Sequence, residues 1–339
     1  MKRRFLYCAV LALAAGSLPP LGRAQPTAAE DARRWLERML DSTQNLNYEG
    51  TFIYVQGPHV EAMRIIHGGG QPGGERQRLV SLNGPPREIV VANNHVICLS
   101  PKGQTPFAGS GYRRSPFPLS IPQEPGRLES HYELQLLGED RVAGLKAQVI
   151  AIKPRDAWRF GYRLWLDQRN GIALRAALLD EQGQPVEQLM FTDLQLKPRI
   201  DEAAFESPAP SSENPAPEAP ANGDGTQAPV GEPVTQSAWQ VEQLPEGFSK
   251  VSHNRFTEPS GRHPTEHLVF TDGLATISVF LERLEGDPPL LQGGSRLGSM
   301  NAFGTVVSDH QVLVVGEAPA ATVRRIATSV RYAPEAGKP

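Results

Sequence analysis

Between Ser207 and Ser237 the chain carries seven prolines among Ala, Ser, Gly and acidic residues, with almost nothing apolar enough to bury. Such a segment cannot offset the entropy of ordering itself, so it is expected to be an extended linker. It divides the sequence into residues 25–206 and residues 238–334, two units that must each build their own core. The 32 glycines and 31 prolines of the 339 residues are therefore unevenly spread. They gather in the linker, in hairpin turns and in residues 101–130, where six prolines predict a long loop. The remainder suits globular domains, with 39% hydrophobic and 21% charged residues overall.

The N-terminus pairs Lys2, Arg3 and Arg4 with the apolar run Phe5 to Ala15, followed by Gly22-Arg23-Ala24. A basic region, a short apolar region and small residues before a cut after Ala24 predict a secretory signal peptide and export to the periplasm. The run is too short to span a bilayer, which takes about 20 apolar residues. Cleavage removes four basic residues and no acid, leaving 30 basic and 37 acidic side chains, a net charge of −7. That balance argues against a nucleic-acid partner. Only Cys98 survives cleavage, so no intramolecular disulfide can form. The strand-like His95-Val-Ile-Cys-Leu99 predicts that this thiol is packed in a core.

Thr27-Ala-Ala-Glu30 has the spacing of a capping box, and Ala32, Trp35, Leu36, Met39 and Leu40 then share a helical stripe. Extended patterns follow at 48–56, 60–67, 76–82, 87–92, 95–100, 132–137, 146–153, 159–167, 172–180 and 186–196. Gly57-Pro58, the glycines of 68–74, Asn83-Gly84, Asn93-Asn94, Asn170-Gly171 and Gln182-Gly183 separate many of them. One helix and about ten strands predict a mainly β, α+β fold: a curved, half-open antiparallel β-barrel wrapped around the helix, or a two-sided sandwich. Beyond the linker, six more strand patterns precede a helix with Pro319 at its first position and Ala320, Val323, Ile326, Ala327 and Val330 on one side. A smaller α+β unit is expected there.

Chemical motifs are weak. His263-Pro-Thr-Glu-His267 matches a zinc-peptidase string, but that chemistry needs both imidazoles on one helix, whereas Pro264 and the strand-like Leu268 to Phe270 hold them apart. Gly68-Gly-Gly70-Gln-Pro-Gly73 matches a dinucleotide fingerprint, yet a strand pattern follows where a phosphate-binding helix should begin. No G-x-S-x-G is present, and Cys98 lacks the context of a thiol nucleophile. The sequence thus predicts no catalytic residue, no metal and no cofactor.

Apolar faces are better supported. Tyr48, Phe52 and Tyr54 share one face of the first strand, and Leu164, Leu166, Leu174, Leu178 and Met190 offer more. In a closed barrel such residues fill the core; in an open one they line a groove for acyl chains. If they line a groove, Phe52→Glu is expected to block acyl binding and spare the fold.

Several segments resemble one family, the periplasmic RseB/MucB regulators of the sigma-E/AlgU envelope-stress sigma factor. In the first unit they are Trp35-Leu36-x-x-Met39, Asn47-Tyr-Glu-Gly-Thr-Phe-Ile-Tyr54, Arg87-Glu-Ile-Val-Val91 with Cys98, and Leu164-Trp-Leu-Asp167 with Asn170-Gly171. In the second they are Leu244-Pro-Glu-Gly-Phe248, Asp272-Gly-Leu-Ala-Thr-Ile-Ser-Val-Phe-Leu-Glu282 and Val314-Val-Gly-Glu-Ala-Pro319. The resemblance implies a first domain like the lipoprotein carrier LolA and a second that binds the periplasmic segment of an RseA/MucA-like transmembrane anti-sigma factor. It implies shielding of that factor from the site-1 protease, release by lipid or lipopolysaccharide acyl chains, and room for a homodimer. A LolA-type lipoprotein or lipid carrier is the alternative, although a simple carrier would not need the second unit. A hydrolase is more remote.

Overall fold

The computed structural model describes residues 28–70, 74–92, 95–100, 103–106, 125–206, 231–256 and 264–333. Helix α1 (Ala28–Asn45) opens the first unit. Among the described residues eleven strands follow: β1 (Asn47–Gln56), β2 (His59–Gly68), β3 (Arg76–Ser81), β4 (Glu88–Ala92), β5 (His95–Ser100) and β6 (Gly103–Pro106). Then come β7 (Tyr132–Val142), β8 (Leu145–Pro154), β9 (Gly161–Asp167), β10 (Ala173–Leu179) and β11 (Pro185–Lys197). They make one antiparallel sheet in the order β6-β5-β4-β3-β2-β1-β11-β10-β9-β8-β7. Its ends, β6 and β7, do not pair with each other, so the sheet is curved but not closed. The ten expected strands are all present. β6 is an addition, lying in the stretch predicted as loop; its proline sits on an edge strand, where no ladder donor is missed. The Cys98 side chain lies outside what is described.

Helix α1 packs on β7 and β8. Its Ala32, Leu36 and Met39 join Tyr48, Phe52, Ile65, Leu79, Ile150, Leu164 and Leu166 in one buried cluster, with Trp35 and Leu40 packed at its margin. Strand alternation explains the arrangement: Leu164 and Leu166 face the helix while Trp165, between them, faces away. Burying a leucine such as Leu36 completely stabilises the fold by about 1.5–3 kcal/mol. A smaller cluster of Val142, Ala147, Val149, Trp165, Leu174 and Ala177 lies on the opposite face. There the Arg175 guanidinium stacks 4.2 Å from the Trp165 ring, whose N–H donates to Asp140 at 2.8 Å.

Among the described residues the second unit has nine strands. These are β12 (Glu232–Pro233), β13 (Trp239–Val241), β14 (Ser249–Phe256), β15 (Thr265–Thr271), β16 (Thr276–Arg283), β17 (Gly293–Leu297), β18 (Met300–Val307), β19 (His310–Gly316) and β20 (Val330–Tyr332). Seven form a sheet in the order β12-β14-β15-β16-β19-β18-β17, and β13 pairs with β20. Helix α2 (Ala320–Thr328) lies on β18 and β19. Its Val323 and Ile326 meet Ile277, Val279, Val312 and Val314 in a separate core.

Several boundaries differ from expectation: β7 runs on to Val142, β18 begins at Met300 rather than Gly304, and β17 is an added strand. Glu232 and Pro233 pair with Arg255 and Asn254, so the second sheet begins inside the stretch expected to be linker. Pro319 is the cap of α2, one residue outside the helix. Val330 was expected on the helical stripe but opens β20, because Ser329 ends the helix with its N–H on Ile326 and its hydroxyl accepting from the Gln243 N–H.

Candidate functional site

Most of the predicted apolar face converges on the concave side of the open sheet. Tyr48, Phe52, Leu164, Leu166 and Leu178 are buried in the cluster beneath α1, and Tyr54 packs against it half-buried. Phe191, on β11, knits the aromatic part: its ring meets Phe52 edge-on at 5.7 Å and Tyr48 at 6.3 Å. Tyr48 also stacks on the buried His67 at 4.5 Å. Burial, then the nearby Glu75, holds the Tyr48 hydroxyl above its ordinary pKa.

Two predicted members do not belong. Leu174 faces the opposite side, in the cluster with Trp165. The cause is a bulge in β10: Ala173 opposes Leu166 and Arg175 opposes Trp165, so Leu174 is the extra residue and inner and outer positions exchange there. Met190 is 38% exposed on the outer surface, because it alternates with the inward Leu189 and Phe191. Strand parity cannot reveal a bulge.

The glycine cluster at 68–70 spends its backbone donors internally, Gly69 on the Asn47 side chain at 3.1 Å and Gly70 on the Gln44 carbonyl at 3.0 Å. The strand expected after it is β3. Glu266 of the zinc-peptidase string lies on β15, as the strand reading required, and pairs with His253 and Arg255 at 2.8 Å each. His267 stacks on Phe280 at 4.3 Å. His263 lies outside the described residues, among which no group of three or more His, Cys, Asp or Glu could hold a metal.

Where the two units meet, sequence reasoning identified no residue. Arg159, just before β9, is fully buried and bonds Asp272 of the β15–β16 turn at 2.7 Å, with both side chains inaccessible. Its second terminal nitrogen donates to the Glu246 carbonyl at 2.6 Å and meets Asp156 at 2.9 Å. The guanidinium lies between the Tyr132 and Phe248 rings, at 5.5 and 5.2 Å. Asp272 is saturated: its other oxygen accepts the N–H groups of Leu274 and Ala275, and the Tyr132 hydroxyl donates to it at 2.8 Å. Burial first, then Asp272, pushes the Tyr132 pKa well above its ordinary value, which keeps that donor protonated. The adjacent Leu274 inserts into the core of the first unit.

A second tie joins the far end of β1 to the β17–β18 hairpin. Glu187 accepts from the Ser299 hydroxyl at 2.6 Å and from Gln56 at 3.3 Å, and Gln56 reaches Ser299 at 3.2 Å. Gly247, at φ +88°, brings the second unit against His131; a Cβ there would overlap the imidazole. Gly247→Ala is expected to cost more than about 1 kcal/mol, read as a lower urea midpoint, since both its backbone and its packing require glycine.

These observations define a two-domain, mainly β protein, with an open curved sheet clamped to a smaller α+β unit. Profiles of the MucB/RseB N-terminal domain and C-terminal domain match residues 31–209 and 233–331. The sigma factor AlgU regulatory protein MucB of Pseudomonas aeruginosa is 33% identical over 313 residues, covering 91% of this chain and 93% of that one. The sigma-E factor regulatory protein RseB of Escherichia coli K12 is 29% identical over 326 residues, covering 95% and 96%. A crystal structure of MucB in complex with MucA(peri) superposes with a TM-score of 0.69 at 30% identity, covering 89% of this chain and 99% of that one. The chain belongs to the MucB/RseB family of sigma factor regulatory proteins.

Proposed function

We propose that this protein is a periplasmic negative regulator of a sigma-E/AlgU-type envelope-stress response. It binds the periplasmic segment of an RseA/MucA-like transmembrane anti-sigma factor, shields it from site-1 proteolysis, and takes no catalytic part. The observation that carries the reading is membership of this family along nearly the whole chain, in both domains and in the same order. The domain limits fit the same reading: a signal peptide to Ala24, a first domain to about 206 and a second from about 232.

Release by lipid or lipopolysaccharide acyl chains belongs to the same proposal. Tyr48, Phe52, Tyr54, Leu164, Leu166 and Leu178 are its lipid-facing candidates, and they are packed together in this conformation. A ligand shifts only an equilibrium between states that it binds differently. Acyl chains would therefore stabilise a second state in which the unclosed sheet parts from α1 and strain reaches the junction at Arg159. A carrier of the LolA type would use the same concave face, but it gives the clamped second domain nothing to do.

The test is a pull-down with the purified mature protein from an inner-membrane extract, with and without lipopolysaccharide. Recovery of an anti-sigma factor, reduced by lipopolysaccharide, is the expected result. Recovery of none in either condition contradicts the reading, and capture of outer-membrane lipoproteins instead favours the carrier.

A further inference from the structure

A cleft of about 850 Å³ lies beside the domain junction, between Trp158 of the first unit and α2 with the β17–β18 hairpin of the second. Among the described residues three arginines line it, Arg296, Arg324 and Arg325, and no acid does. Arg325 lies 5.0 Å from the Trp158 ring and Arg324 6.0 Å from the Phe303 ring, so aromatic faces hold both guanidinium groups in place. Neither guanidinium has a carboxylate or a hydrogen-bond acceptor among the described residues, and the Arg325 Nε is buried without one. Several other arginines, among them Arg78, Arg159 and Arg255, meet carboxylates. In a mature chain of net charge −7, an acid-free cationic cleft with unfilled donors is complementary to an anion.

The cleft also borders a sheet edge. Among the described residues β17 pairs with β18 alone, and its run Gly294-Ser-Arg-Leu297 is exposed, with Leu297 at 72%. Such an edge presents unpaired backbone donors and acceptors, and an extended peptide can add to it as a further strand.

We propose that the cleft is the seat of an extended acidic peptide, which pairs with β17 and sets its carboxylates on Arg324 and Arg325. Resting on the function proposed above, this peptide is part of the anti-sigma factor's periplasmic segment. Because Trp158 and α2 come from different units, the site is complete only while the junction is closed. Thr322 of α2 donates to the Trp158 carbonyl at 2.9 Å and holds that wall in place.

The test titrates the mature full-length protein with the labelled periplasmic segment, and in parallel with lipopolysaccharide vesicles, at salt from about 0.05 to about 0.3 M. The Arg324→Glu/Arg325→Glu variant is expected to weaken binding by at least about ten-fold and flatten its salt dependence, while Arg324→Lys/Arg325→Lys keeps most of it. Unchanged circular dichroism and urea midpoints verify the fold. Amide exchange over Gly294–Leu297 is expected to slow when the segment binds. Binding by the wild type that the Glu variant leaves unchanged overturns the site and leaves the proposed function standing. Weakening by the Glu variant with no slowing of exchange overturns the strand pairing. A loss confined to lipopolysaccharide vesicles assigns the cleft to an anionic glycolipid and overturns the peptide. Failure of the wild type to bind the segment overturns both site and function.

Discussion

Arg159→Met should destabilise the protein by about 3–5 kcal/mol and turn a joint unfolding transition into two. The substitution keeps most of the side-chain volume between Tyr132 and Phe248 but leaves the inaccessible Asp272 carboxylate without its cation. A buried ion pair is weak as a source of net stability, yet removal of one member is costly because the other charge remains desolvated. The second change, Asp272→Asn, should recover part of the loss in the double variant, since an amide oxygen still accepts the Leu274 and Ala275 N–H groups. Urea denaturation followed by tryptophan fluorescence reads both effects, as Trp158 and Trp165 report the first unit and Trp239 the second. An unfolding free energy within about 0.5 kcal/mol of wild type would mean that the junction does not hold the domains together.

Phe52→Glu should prevent the first domain from folding at neutral pH. Phe52 is 2% exposed, against Phe191 and beneath α1, where a carboxylate finds no described cation. Loss of the aromatic side chain alone costs about 3–5 kcal/mol, and the uncompensated charge adds to it. This revises the expectation that the substitution would spare the fold, which assumed an open groove at that position. Acidification should partly restore the fold, because the introduced carboxyl is forced towards its neutral form and stability returns as pH falls through its raised pKa. Loss of near-ultraviolet circular dichroism at pH 7, regained near pH 5, is the expected signature. A native spectrum at pH 7 would place Phe52 in a wetter setting than its packing implies.

The architecture was readable because its causes are local. Period-two alternation, Asn-Gly turns and the helical stripe of Ala32, Leu36 and Met39 each depend on neighbours a few residues away. The proline-rich break separated the two cores for the same reason, although Pro233 proved to be an edge-strand residue. What stayed hidden depends on distant partners or on geometry that leaves no compositional trace. Arg159 and Asp272 are 113 positions apart, and nothing near either marks it as half of a buried pair. Asp272 did lie in a segment that carried the family resemblance, a pointer to importance without a role. The bulge that turns Leu174 outward is one extra residue in an otherwise regular strand. Nothing in the sequence marks Arg324 and Arg325 as parts of a cleft, since Trp158 meets Arg325 only in the assembled molecule.

Under the proposed function, this protein restrains its sigma factor by protecting an anti-sigma factor from cleavage. The most direct measurement is the rate at which activated site-1 protease cuts the anti-sigma factor's periplasmic domain in a purified system. Addition of the mature protein should slow cleavage to near zero at stoichiometric ratio, and lipopolysaccharide should restore it. Cleavage at the same rate with and without the protein would contradict the account.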